Sequence, residues 1–275
     1  MSAGAPADRT VDVGGLRTRY IERGAGPAAL LLHGASLGSS ADVWTGNLDA
    51  LAAHGLRVIA FDQPGFGLSD DADDHSVGFR VRFVPAFMDA LGLERAHLVG
   101  HSQSGRFAVS LALSHPGRVA RAVVVATGSL LPPLPGAGAP GEGDEGEAAE
   151  PTLEDTRAAL EATVFHRELV TPEAVALRHR MSTGRNFRAF LARRQARGAG
   201  EKKDAAPLWQ RLGEVRVPLR LIYGADDRGD CARRTRLALE RFPGLDLHLV
   251  ERCKHLVQWD APERFAELTG RFLAS

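Results

Sequence analysis

Apolar and polar residues alternate over residues 11–22 around Gly14-Gly15, which predicts a β-hairpin. The pattern then changes to short, mainly apolar runs at 28–32, 57–61, 96–99 and 120–126, as expected of parallel strands covered on both faces. Between the runs, residues 43–54, 78–91 and 103–115 carry helical spacing. Gly55 closes the first of these helices, and Pro85 should kink the second. Strand–helix alternation of this kind predicts a doubly wound, mostly parallel sheet with helices on both faces.

The alternation stops near residue 130. Residues 131–151 are rich in Pro, Gly, Ala and acid, with almost no large apolar residue after Leu134. Such a stretch cannot repay its ordering entropy, so a flexible loop is expected at about 132–150. Helical spacing without strands follows at 153–167, 172–180 and 187–197. Alternation then returns at 219–223, 231–242, 246–250 and 261–273. The expected organisation is a core of residues 1–130 and 206–275, interrupted by a helical cap of residues 131–205.

Composition narrows the class of partner. Lys plus Arg number 34, equal to Asp plus Glu, so no basic surplus favours nucleic acid or a polybasic membrane contact. A small-molecule substrate is expected. Residues 1–10 lack the apolar core of a signal peptide, and no apolar run is long enough to span a bilayer. Cys231 and Cys253 match neither a zinc pattern nor a disulfide framework, and read as free thiols of a cytoplasmic protein. The sequence is compatible with a homodimer without deciding oligomeric state.

Candidate chemistry begins at Gly100-His101-Ser102-Gln103-Ser104-Gly105, between a strand and a helix. A serine on such a turn stands clear of the sheet at a helix N-terminus, where developing negative charge is favoured. The turn needs small residues two before and two after the nucleophile. Gly100 and Ser104 serve Ser102, whereas Ser104 as nucleophile would put Arg106 at the second place. In this strand–turn–helix class the chain order is nucleophile, acid, histidine. Asp226 and Asp227 follow the strand at 219–223, and only His248 and His255 lie beyond them. His248 falls inside an alternating strand, so His255 is the expected base. The oxyanion donors should be the backbone N–H of Gln103 and, from the loop after strand 28–32, that of Ala35, with Ser36 as the fallback. No metal or organic cofactor is implied.

With these residues placed, the chain resembles the α/β-hydrolase superfamily over essentially its whole length. His33-Gly34, Gly100-His101-Ser102 and the turn Asp62-Gln63-Pro64-Gly65-Phe66-Gly67-Leu68-Ser69 carry the likeness. The superfamily's acid ends a G-x-x-D turn, which selects Asp227. Within the superfamily the chain is most similar to meta-cleavage-product hydrolases, which cleave a carbon–carbon bond in 2-hydroxy-6-oxo-dienoates. Gly224-Ala225-Asp226-Asp227-Arg228, Cys253-Lys254-His255, Gln258-Trp259 and Leu169-Val170-Thr171-Pro172-Glu173 carry that similarity.

The resemblance implies a substrate-carboxylate role for the cap arginine Arg178, with Ser36 and His101 also at the substrate. His101 stands where that family has Asn, and Leu256 where it has Trp. The cap also holds Arg180, Arg185, Arg188, Arg193, Arg194 and Arg197, and one arginine among so many fits a solvated face equally well. Three reactions fit the scaffold: carbon–carbon hydrolysis, hydrolysis of an ester, thioester or lactone, and a non-hydrolytic step such as cyclisation or cofactor-free oxygenation. A ligand receptor derived from a hydrolase is the non-enzymatic alternative.

Overall fold

The computed structural model describes residue 4 and residues 6–136, 149–196 and 206–275. Its strands are β1 (Arg9–Val13), β2 (Leu16–Arg23), β3 (Ala28–Leu32), β4 (Arg57–Phe61), β5 (Ala96–His101), β6 (Val119–Val125), β7 (Leu219–Gly224) and β8 (Asp246–Val250). They form one sheet in the order β1-β2-β4-β3-β5-β6-β7-β8. The hairpin partner β2 pairs antiparallel with both β1 and β4, and every other pair is parallel. The loops after β3, β5, β7 and β8 therefore open at one edge of the sheet, where sites of such sheets form.

The helices are α1 (Leu48–Ala52), α2 (Val77–Ala90), α3 (Gln103–Ser114), α4 (Leu153–Thr163), α5 (Pro172–Arg180), α6 (Arg185–Gln195), α7 (Cys231–Arg241), α8 (Val257–Asp260) and α9 (Pro262–Ala274). β3 shows why they cover both faces. Ala29 and Leu31 join a cluster with Leu48 and Phe265, while Leu30 and Leu32 join another with Phe83, Phe87 and Phe107. Each fully buried aromatic of this kind contributes about 1.5–3 kcal/mol relative to exposure. This is the α/β-hydrolase fold. Helices α4 to α6 come between β6 and β7 in the chain, and Leu160, Val164 and Val175 continue the first cluster over the strand ends.

Two expected helices differ in extent, and a third keeps its proline within one helix. Residues 43–54 split into a 3₁₀ turn, Ala41–Asn47, and the short α1, because Ser40 caps early by accepting the Asp42 N–H. α2 runs on through Pro85. α4 stops at Thr163 rather than at Arg167, because the amides of Phe165 and His166 turn to the Asp260 carboxylate. Most of the expected flexible loop at 132–150 lies outside the described residues, as does Arg197. Cys231 and Cys253 are free and buried. Among the described residues, no helix is long and apolar enough to cross a membrane.

Candidate active site

β5 ends at His101, and Ser102 turns the chain into α3 with φ 55° and ψ −124°. A non-glycine residue there costs about 1–3 kcal/mol and persists only where neighbours hold it. Ser102 N–H donates to the Val125 carbonyl at 2.8 Å, and its own carbonyl accepts from Thr127 Oγ1 at 2.6 Å. Gly100 is needed because a Cβ there would lie 2.3 Å from the Ser104 carbonyl oxygen.

His255 comes from the loop after β8. Its Nε2 is 3.0 Å from Ser102 Oγ, and its Nδ1 is 2.9 Å from Asp227 Oδ2. An ionised carboxylate only accepts, so the ring proton sits on Nδ1 and Nε2 accepts the serine hydroxyl. The His255 and Asp227 side chains are 10% and 8% exposed, which limits competition from water. The two loops are tied together where Asp226 N–H donates to the Cys253 carbonyl at 2.9 Å. Gly224 permits this, since a Cβ there would meet the Lys254 carbonyl oxygen at 2.3 Å. His248 lies apart in β8, bonded to Asp246 at 2.8 Å.

Both expected oxyanion donors, the N–H groups of Ala35 and Gln103, have no hydrogen-bond partner among the described residues. Gln103 opens α3, and its side-chain Oε1 accepts from Arg80 Nη2 at 2.5 Å. A cavity of about 30 Å³ is lined by Gly34, Ser36, His101, Arg178, His255 and Leu256, among others. Leu256 and Arg178 also line an adjoining, mainly apolar cavity of about 180 Å³ that reaches Leu177 and Trp259. Arg178 Nη2 donates to Ser36 Oγ at 3.2 Å. Arg178 has no ion-pair partner among the described residues, and desolvation lowers its pKa to about 10. A cation so placed favours an anionic ligand.

His101 is buried, and its Nε2–H donates to the His255 carbonyl at 2.9 Å. Burial, reinforced by the neighbouring His255 ring, pushes its pKa well down, so it stays neutral. This bond braces the loop that carries His255.

Several residues escaped the sequence reading. Asp260 accepts from Lys254 N–H at 2.8 Å and from Phe165 N–H at 2.9 Å, joining the histidine loop to the cap. Nothing in the local pattern marks it. Two further arginines, on α6, bond to the core turn at 65–69. Arg193 is buried and donates to the Gly65 carbonyl, and Arg185 donates to the carbonyls of Gly67 and Ser69. The core turn at 65–69 presents carbonyls that these donors satisfy from α6, together with Asn186 Nδ2, which donates to the Gly67 carbonyl at 3.1 Å.

The family described as alpha/beta hydrolase fold matches residues 27–262. The 2-hydroxy-6-oxononadienedioate/2-hydroxy-6-oxononatrienedioate hydrolase of Burkholderia vietnamiensis is 34% identical over 268 residues, covering 94% of this chain and 91% of that protein. The 2-hydroxy-6-oxo-6-phenylhexa-2,4-dienoate hydrolase of Burkholderia cepacia is 31% identical, covering 94% and 92%. Among solved structures, the meta-cleavage product hydrolase of Pseudomonas fluorescens IP01 superposes with a TM-score of 0.77 at 26% identity, covering 96% of each chain.

Proposed function

The chain belongs to the α/β-hydrolase family, and we propose that this hydrolase cleaves the carbon–carbon bond of a 2-hydroxy-6-oxo-dienoate-like acid by way of a Ser102 acyl-enzyme. Ser102 Oγ attacks the 6-carbonyl while His255 takes its proton, and Asp227 steadies the resulting imidazolium. The amides of Ala35 and Gln103 hold the oxyanion. The substrate reacts as its 2-oxo-3-ene tautomer, formed when the 2-hydroxyl proton moves to C5. The bond from C5 to C6 then breaks with its electron pair delocalised through C3 and C4 onto the 2-oxygen, and His255 returns the serine proton to the leaving fragment. Water then hydrolyses the acyl-serine by the same route. Arg178 holds the C1 carboxylate, with Ser36 and His101 beside it.

The observation that carries this reading is that His255, bonded to both Ser102 and Asp227, lines the same cavity as Arg178, an arginine free of any acidic partner among the described residues. The named activities of the two relatives support the substrate class. We read residues 1–130 and 206–275 as the catalytic core, 131–205 as the cap, and the cytoplasm as the site of action, with a homodimer as the assembly to test.

The test is turnover of 2-hydroxy-6-oxo-6-phenylhexa-2,4-dienoate against p-nitrophenyl acetate. Arg178→Ala removes one charge-assisted contact of about 1.5–3 kcal/mol, so kcat/KM on the dienoate should fall roughly 10- to 150-fold while the neutral ester is unaffected. Ester turnover equal in both proteins, with no dienoate cleavage, would instead favour an ester, thioester or lactone hydrolase.

A further inference from the structure

Ser104 and Gln63 take no part in the chemistry above, yet both are buried and both reach one atom, the His33 carbonyl oxygen. Ser104 Oγ donates to it at 2.6 Å and Gln63 Nε2 at 2.8 Å. Gln63 Nε2 also donates to Ser104 Oγ at 3.0 Å. The orientation of the Gln63 amide follows from this arrangement. The serine proton is committed to the carbonyl, so both atoms facing the amide accept from it. Gln63 Oε1 is left buried without a partner. An apolar side chain of the same length would avoid that cost, so burial alone does not account for a glutamine here.

The backbone of Gln63 acts on the same loop. Its N–H donates to His33 Nε2 at 3.0 Å, which leaves that nitrogen without a proton. The ring proton therefore sits on Nδ1, which donates to the Gly34 carbonyl at 2.7 Å. Burial lowers the His33 pKa to about 3, so the ring keeps this neutral form across the working range. The Gly34 carbonyl belongs to the same peptide group as the Ala35 N–H. In a trans peptide the two point in opposite directions, and there is no cis bond among the described residues. Holding the Gly34 oxygen therefore aims the Ala35 N–H.

We propose that Ser104 and Gln63 are positioning residues that clamp the oxyanion loop after β3 to the first turn of α3, so that the Ala35 and Gln103 amides form one rigid pair. Ser104 follows Gln103 directly in the chain, and its hydroxyl carries the link across. The inference rests on the oxyanion role given to those two amides. It also explains why the second small flank of the nucleophile turn is serine: the position needs a hydroxyl as well as small size.

The variants are Ser104→Ala, Gln63→Met and the pair together, followed on p-nitrophenyl acetate and the dienoate. Deleting an oxyanion donor outright costs about 10²–10³ in turnover, and a misaimed donor costs less, so each single variant should lose about tenfold in kcat. KM should stay within about twofold, and the double variant should lose little more than the worse single one, because the clamp acts as a unit. Affinity for phenylboronic acid, which forms a tetrahedral adduct on Ser102, should weaken by the same factor, while affinity for benzoate is unchanged.

Unchanged kcat in both single variants overturns the clamp, as does equal weakening of boronate and benzoate. If Gln63→Met does not fold, Ser104→Ala, which removes one oxygen, decides alone. Ser102→Ala separates the two levels. Full activity in that variant would remove the nucleophile reading itself, whereas an inactive Ser102→Ala beside fully active clamp variants rejects only the clamp.

Discussion

Arg193 on α6 lies over the face of Phe66 in the core turn, its guanidinium carbon 3.7 Å from the ring centroid, while Nη1 donates to the Gly65 carbonyl at 2.8 Å. The stack fastens α6 to the turn at 65–66, and a buried cation–π contact of this kind is worth about 2 kcal/mol. Asp260 fastens the segment after α4 through the Phe165 and His166 amides. Helix α5, which carries Arg178, thus lies between two segments anchored to the core turn and to Asp260.

Arg193→Met keeps the length of the side chain and loses the charge. Amides of α6 should then exchange faster with solvent, and KM for the dienoate should rise severalfold, because a looser cap presents Arg178 less often in its binding position. Hydrogen exchange read by mass spectrometry, together with steady-state kinetics, checks this. Unaltered exchange across α6 would mean that the stack does not hold the cap.

Ser102→Ala, His255→Ala and Asp227→Asn should each lower kcat by about 10⁴-fold or more while melting within a few degrees of the native protein. Members of such a line act as a unit, so the triple variant should be little slower than the worst single one. Burst kinetics with p-nitrophenyl acetate would read the loss directly. A burst that survives in Ser102→Ala would assign the nucleophile elsewhere.

Stability should fall in acid. Burial lowers the pKa of His33 to about 3 and of His97 to about 4, and pushes that of His101 well down. An unfolded histidine protonates near pH 6.5. As pH falls from about 6.5 to 5, the unfolded chain gains about three protons that the folded chain refuses, and stability drops. Asp62 opposes this by one proton, since burial raises its carboxyl to about 6. The net of two protons corresponds to a slope of about 2.7 kcal/mol per pH unit at its steepest, near pH 5. Urea titrations at pH 6.5, 5.5 and 4.5 measure it. His101→Asn should reduce the slope by about one proton, and an unreduced slope would show that His101 is not held neutral.

The sequence by itself determined the alternation of strand and helix, the interruption after β6, and the strand-end positions Ser102, Asp227 and His255 that the fold brings into one hydrogen-bonded line. These are legible because they depend on short-range physics. Apolar runs specify buried strands, Gly100 permits the sharp turn at Ser102, and Gly224 lets the acid loop approach the histidine loop. His255 and Asp227 could be read from order and loop position, since each follows directly after its strand.

Only the tertiary structure decided the partnerships between distant side chains. Asp260 ends α4 early, Arg193 is buried against Phe66 instead of facing water, and Gln63 meets Ser104 and His33 behind the oxyanion loop. Each joins residues at least 30 positions apart. A buried donor or carboxylate must find a partner somewhere. Which partner it finds is set by the three-dimensional approach of two elements, and no local pattern of residues encodes that approach.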